Sequence, residues 1–179
     1  LKNAQSNAMI VEQLDNLTKT SVMKTIVVIA VCFVMTYFIY KDVLRVAYVD
    51  FKSWGNLLYN YKSNVSEYGM SFLARMGFAF TKGFAFVYLF LFMNRFSVNK
   101  KILGKEGLVK LIYLGPCIIF CVQSLMTGGR ISIIMLIFAG LVYAALIKYY
   151  RTRTKWHPSI RNIFKYICFA ILILLGFYY

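Results

Sequence analysis

The sequence predicts an all-α, polytopic membrane protein with about five transmembrane helices and an amphipathic interfacial helix in its first outer loop. Three observations predict it. Of the 179 residues, 60% are hydrophobic and 18% aromatic, with a mean hydropathy of +0.65, which is too apolar for a soluble domain. The apolar residues fall in five runs, each near the roughly 20 residues that a helix needs to cross about 30 Å of hydrocarbon. The 21 Lys and Arg residues stand mainly between those runs, so the formal charge of +15 points to lipid headgroups and topology. A nucleic-acid-binding module would instead collect its cations on one face, so no nucleic-acid partner is expected.

In chain order, residues 1–21 are polar and mixed, with Lys2, Glu12, Asp15 and Lys19, and lack the pattern of a signal peptide. They read as a cytoplasmic N-terminal segment. The predicted spans are 22–40, 71–94, 107–126, 131–149 and 163–179 of a single membrane domain, 1–179. The cleanest is the fourth, uncharged from Ile131 to Ile147. In the third, Gly115-Pro116 predicts a kink, because proline lacks a backbone donor and crowds the preceding turn. Tyr37, Tyr40, Tyr149 and Tyr150 at run ends fit an interfacial aromatic belt. The chain starts without Met and stops inside an apolar run, which suggests a piece of a longer protein.

Charge asymmetry orients these spans. With the N-terminus inside, the inner segments hold fourteen cations and the outer ones five: Lys41, Arg45, Lys52, Lys62 and Arg130. Cytoplasmic loops collect Lys and Arg, so the N-terminus is expected in the cytoplasm. The outer loop is then 41–70. Within it Leu44, Ala47, Phe51, Trp54, Leu58 and Tyr61 recur at steps of three and four, while Lys41, Arg45 and Lys52 lie on another face. Such a helix either lies passively on the leaflet or turns cations and aromatics toward a lipid-linked or polysaccharide ligand.

The turn Thr127-Gly128-Gly129-Arg130 joins the third and fourth spans with almost no loop. It fixes the Arg130 guanidinium at the membrane boundary, beside glycines whose N–H groups could stand open to an anion. That combination suits phosphate, although a simple turn with an interfacial anchor has the same sequence. Inside the second span, Arg75 and Lys82 are seven residues apart and share a helical face. Charges there cost about 2.5–3.5 kcal/mol each, so they normally meet a partner or a wet cavity. The six carboxylates, Glu12, Asp15, Asp42, Asp50, Glu67 and Glu106, all fall in expected loops or at a span end, which leaves an anionic ligand as the natural partner.

Other chemistries find little support. Cys32, Cys117, Cys121 and Cys168 lie in apolar runs without a nearby His or acid, and read as small core residues with no metal site. The single histidine, His157, precedes Pro158 in a basic turn, and no phosphate-binding P-loop occurs. No cofactor is implied.

An apolar span, the segment Ser124-Leu125-Met126-Thr127-Gly128-Gly129-Arg130-Ile131-Ser132-Ile133-Ile134, a second apolar span and a basic loop together resemble the bacterial O-antigen, or oligosaccharide repeat-unit, polymerase family. Residues 41–48, Asn56-Leu57-Leu58 and Asn64 are similar to the loop that precedes such spans. Members carry many more spans, and Leu141 stands where the family's arginine-x10-glycine signature has its glycine. The resemblance implies a metal-independent glycosyltransferase of the bacterial plasma membrane that joins undecaprenyl-diphosphate-linked repeat units into O-antigen, capsule or exopolysaccharide. It implies Arg130, Arg75 and Lys82 as the catalytic cations, with Gly128, Gly129, Arg45, Lys41, Asp50 and Trp54 binding substrate. Acid–base help would come from Asp42, Asp50 or Glu67. Partners would be the lipid-linked oligosaccharide, membrane lipids, a flippase and a chain-length regulator. A lipid-linked-oligosaccharide flippase or other secondary carrier, and a scaffold whose cations are purely topological, are the competing expectations. A polymerase predicts Arg130, Arg75 and the outer-loop helix converging on one outward pocket.

Overall fold

A computed structural model describes residues 21–47, 54–98 and 111–152, with isolated positions 12 and 16. Within these, all regular structure is helical: α1 Val22–Ala47, α2 Trp54–Tyr68, α3 Phe72–Val98, α4 Gly115–Met126 and α5 Arg130–Thr152. The expected span 163–179, His157 and Cys168 lie outside the described residues.

The helices α1, α3 and α5 are long and apolar enough to cross a membrane. Their exteriors are apolar as well: Phe33, Val34, Phe80, Ile131 and Phe138 are all exposed. Only 17% of the most apolar window of α1 is buried inside the bundle. In water this surface would be an aggregation site; in lipid it is the required exterior. The β-branched run Ile26-Val27-Val28-Ile29 stays helical for the same reason, since lipid offers no other partner for backbone N–H and C=O groups.

The first helix runs seven residues beyond the expected end of its span, to Ala47, and carries Lys41, Asp42 and Arg45 with it. Asp42 is thereby buried in a helix rather than set in a loop. Its Oδ2 accepts the Ser71 N–H at 3.1 Å, and Ser71 Oγ accepts the Ala74 N–H, so an α1 carboxylate and a serine cap together hold the start of α3.

Across this end lies α2, the helix within the expected outer loop 41–70. It buries Leu57 and Tyr61 against Ile39, Val43, Val46, Ala47 and Ala74, and Asn64 Nδ2 donates to the Val46 carbonyl at 3.0 Å. The buried stripe is therefore Leu57/Tyr61, whereas the expected stripe passed through Leu58, which is half-buried. The expected stripe assumed one helix from Leu44 to Tyr61; two separate helices have independent phases. Phe51 lies outside the described residues, as does the side chain of Trp54.

The kink expected at Gly115-Pro116 is a full break. Leu111 and Ile112 are helical, Tyr113 and Leu114 form a turn, and α4 begins at Gly115. Pro116 sits in the first turn, where its missing donor leaves no bond unmade. At Gly115 an added Cβ would come within 2.5 Å of Ile29 Cδ1, so a larger residue there would make the Ile29 side chain shift where α4 packs on α1. By itself α4, of 12 residues, is about 18 Å long, too short to cross a bilayer. It packs against α3 through Phe120 on Phe78 and through the Cys117 thiol, which donates to the Ala85 carbonyl at 3.2 Å.

Candidate functional site

The Thr127–Arg130 turn is a Schellman cap. Gly129 N–H donates to the Ser124 carbonyl at 2.7 Å and Gly128 N–H to that of Leu125 at 3.2 Å, with Gly128 in the left-handed region at φ 69°. Thr127 N–H donates to the Gln123 carbonyl and Arg130 N–H to that of Gly128. The expectation that Gly128 and Gly129 present open N–H groups to an anion is therefore not met, because those donors close the end of α4. The glycines shape the turn, and what it offers a ligand is the exposed side chain of Arg130, the first residue of α5.

Helix register shows what lies at the same depth. Helix α5 runs parallel to α3, with Gly140 against Leu89 and Met93, Tyr143 against the ring of Phe90, and Arg151 bonded to Asn94. These partners are offset by 47 to 57 residues, which puts Arg130 level with positions 73–83 of α3, a window holding both Arg75 and Lys82. On α3, Lys82 precedes Leu89 by seven residues and Met93 by eleven, and Arg75 precedes Lys82 by seven. At 100° per residue these share the stripe that deeper down faces α5. Arg75 is exposed and its Nη2 donates to the Met70 carbonyl at 3.2 Å; Lys82 is half-buried.

A polar node closes the inner side of this band. Gln123 Nε2 donates to Thr36 Oγ1 at 2.8 Å and Thr81 Oγ1 at 3.2 Å, tying α4 to α1 and α3. Both threonine hydroxyls donate to carbonyls of their own helices, Cys32 and Gly77, which leaves their lone pairs for the Gln123 amide. Gln123 Oε1 and Ser124 Oγ are buried without a hydrogen-bond partner among the described residues.

The remaining predicted residues lie elsewhere. Arg45 pairs with Asp42 at 2.8 Å, and Lys41 stacks on the Tyr37 ring at 5.1 Å. Lys41 stands two residues from both Ile39 and Val43, about 200° around α1 from the buried face, so it points away from the Arg75–Lys82 stripe. Convergence of Lys41 and Arg45 with Arg130 and Arg75 on one pocket is not found. Asp42, considered as a proton acceptor, is committed to Ser71 and Arg45. Asp50 and the side chains of Trp54 and Glu67 lie outside the described residues. Tyr61 packs near the Asp42–Arg45 pair, and burial together with the Asp42 charge pushes its hydroxyl up to about 12, against a smaller opposite pull from Arg45.

Sequence reasoning missed two features. The Gln123 node passed unnoticed because a single amide in an apolar run has no periodic signal; three helices must meet before it matters. At the opposite end, Arg151 donates to the buried Asn94 at 3.0 Å, and Arg95 lies over the Tyr113 ring at 4.5 Å. Both arginines had read as topological charge. No group of metal-ligating side chains occurs among the described residues. The geometry defines an all-helical membrane bundle in which register sets Arg130 level with the α3 stretch that holds Arg75 and Lys82, a cationic band by depth. No protein-family model, curated protein or solved structure matches the chain.

Proposed function

We propose that this chain acts in the polymerisation of undecaprenyl-diphosphate-linked oligosaccharide repeat units into a surface polysaccharide, at the outer face of a bacterial plasma membrane. The N-terminus is cytoplasmic, the α2 end faces outward, and α2 lies at the interface. What supports the reading is helix register, which sets Arg130, at the end of α4, level with the α3 window that holds Arg75 and Lys82. Fixed cations in a partly desolvated band suit a reaction that leaves negative charge on phosphate.

In that reaction a hydroxyl of the incoming lipid-linked unit forms a new glycosidic bond to the anomeric carbon of the growing chain. The bond from that carbon to its lipid diphosphate breaks, and the diphosphate leaves with the electron pair. Arg130 clamps the diphosphate bidentately, while Arg75 and Lys82 add positive field. Gly128 and Gly129 hold the turn that presents Arg130. Asp50 and Trp54 meet the glycan, and Asp50 or Glu67 takes the acceptor proton; Lys41 and Arg45 contact headgroups at the rim. Flippase and chain-length regulator act before and after this step.

The test is Arg130→Ala in the cell that makes the polymer: polymer is lost while single lipid-linked units accumulate at the outer face. Normal polymer length would remove Arg130 from the mechanism. The second reading, a flippase or secondary carrier, is favoured by the Gln123–Thr36–Thr81 node midway along the spans. It predicts that the same mutant strands the units at the inner face.

A further inference from the structure

Ser124 has no place in the chemistry above, yet its hydroxyl occupies an unusual position. Its side chain is 0% exposed, and Oγ has no hydrogen-bond partner among the described residues. A buried hydroxyl in a helix commonly donates to the carbonyl one turn back, as Thr36 and Thr81 do; Ser124 does not. A buried polar atom left unpaired is costly, and in native proteins it usually marks a position that something else completes.

The register identifies what is nearby. Ser124 follows Cys117 by seven residues and Phe120 by four, so it continues the α4 stripe that packs on Ala85 and Phe78. Lys82 lies on the matching α3 stripe, four residues after Phe78 and three before Ala85. The antiparallel pairing of Cys117 with Ala85, Phe120 with Phe78 and Gln123 with Thr81 puts Ser124 level with positions 74–80, within reach of a lysine extending outward from 82. The Ser124 carbonyl also accepts the Gly129 N–H that closes the Arg130 turn. One residue thus joins the α3-facing stripe of α4 to the turn that carries Arg130.

We propose that Ser124 is a ligand-binding residue, whose hydroxyl donates to a phosphoryl oxygen held between Lys82 and Arg130. This rests on the reading of the band as a diphosphate site, and adds to it a neutral donor buried against α3. A phosphate monoester or diphosphate fits: its several acceptor oxygens can take one hydroxyl proton while cations neutralise the rest. Lipid-linked and inorganic phosphate share this chemistry.

The test uses the full chain in phosphatidylcholine nanodiscs, with geranyl diphosphate and inorganic diphosphate as probes, read by binding and by melting temperature. Ser124→Ala is expected to weaken binding about fivefold to tenfold while its melting temperature stays level or rises, because an unpaired hydroxyl has been removed. Preference for geranyl diphosphate assigns the site to a lipid carrier, and equal binding assigns it to inorganic phosphate. A lower melting temperature with unchanged affinity would make Ser124 a structural hydroxyl and overturn the proposal. Lys82→Met and Arg130→Gln separate the role of Ser124 from the diphosphate site itself. If they weaken binding and Ser124→Ala does not, the Ser124 assignment alone fails; if none of the three does, the diphosphate site fails with it.

Discussion

At the α2 end of the bundle, each polar group that bridges two helices meets a protein partner. Asp42 takes the Ser71 N–H and the Arg45 guanidinium, Ser71 caps α3, and Asn64 holds the last turn of α1. Between α3, α4 and α5 the pattern is mixed: Gln123 and Arg151 meet Thr81 and Asn94, whereas among the described residues Lys82 has no carboxylate beside it and the buried Ser124 hydroxyl has no hydrogen-bond partner. Both regions looked alike as charge in an apolar chain. The difference separates polar groups that maintain a fold from polar groups placed for something outside it, since a low-dielectric interior penalises whatever it leaves unpartnered.

That contrast is open to direct attack. Asp42→Ala should have the largest effect on stability, about 2–3 kcal/mol in denaturant unfolding of the detergent-solubilised chain, because it orphans the Ser71 N–H and the Arg45 charge together. Arg45→Ala should cost less than Asp42→Ala, since the Arg45 side chain is 59% exposed and Asp42, though only 3% exposed, keeps the Ser71 N–H. Comparable losses from the two would mean that the ion pair, rather than the helix cap, holds this end.

Next in size is a pH effect at Tyr61. Its hydroxyl, with an ordinary value of 10, is pushed up to about 12, so the folded state holds this proton more tightly than the unfolded chain does. That contribution to stability is complete below pH 10 and disappears as pH rises toward 12. A loss of up to about 2 kcal/mol is expected across that window. Tyr61→Phe should flatten this part of the curve; an unchanged slope would show that the lysines, which titrate in the same range, account for it.

The smallest effect probes the other region. Gly128→Ala places a Cβ at φ 69° and should cost about 1 kcal/mol, by left-handed strain alone, since no atom lies within 4 Å of the added carbon. If the same change abolishes geranyl diphosphate binding, the turn presents Arg130 in one working position. Unchanged binding would show that Arg130 reaches its ligand from a loosened turn.

Much of the architecture was legible in residue order. The long apolar runs became α1, α3 and α5, Gly115-Pro116 did interrupt its run, and Gly128 did mark the end of a helix. Arg75 and Lys82 were readable as one face from their spacing. The roles of Gly129, Asp42 and Gln123 were not. Whether a glycine N–H is open or closes a cap depends on the carbonyls behind it, and Asp42 passed for a loop residue until the helix ran on around it.

What residue order determined was the solvent: a chain this apolar must satisfy its backbone within helices and turn its greasy surface to lipid, whichever way those helices pack. Tertiary structure alone decided which polar atoms are spent and which remain available. Hydrogen bonds such as Ser71 to Asp42 and Gln123 to Thr36 join residues 29 and 87 positions apart, and no local period encodes them.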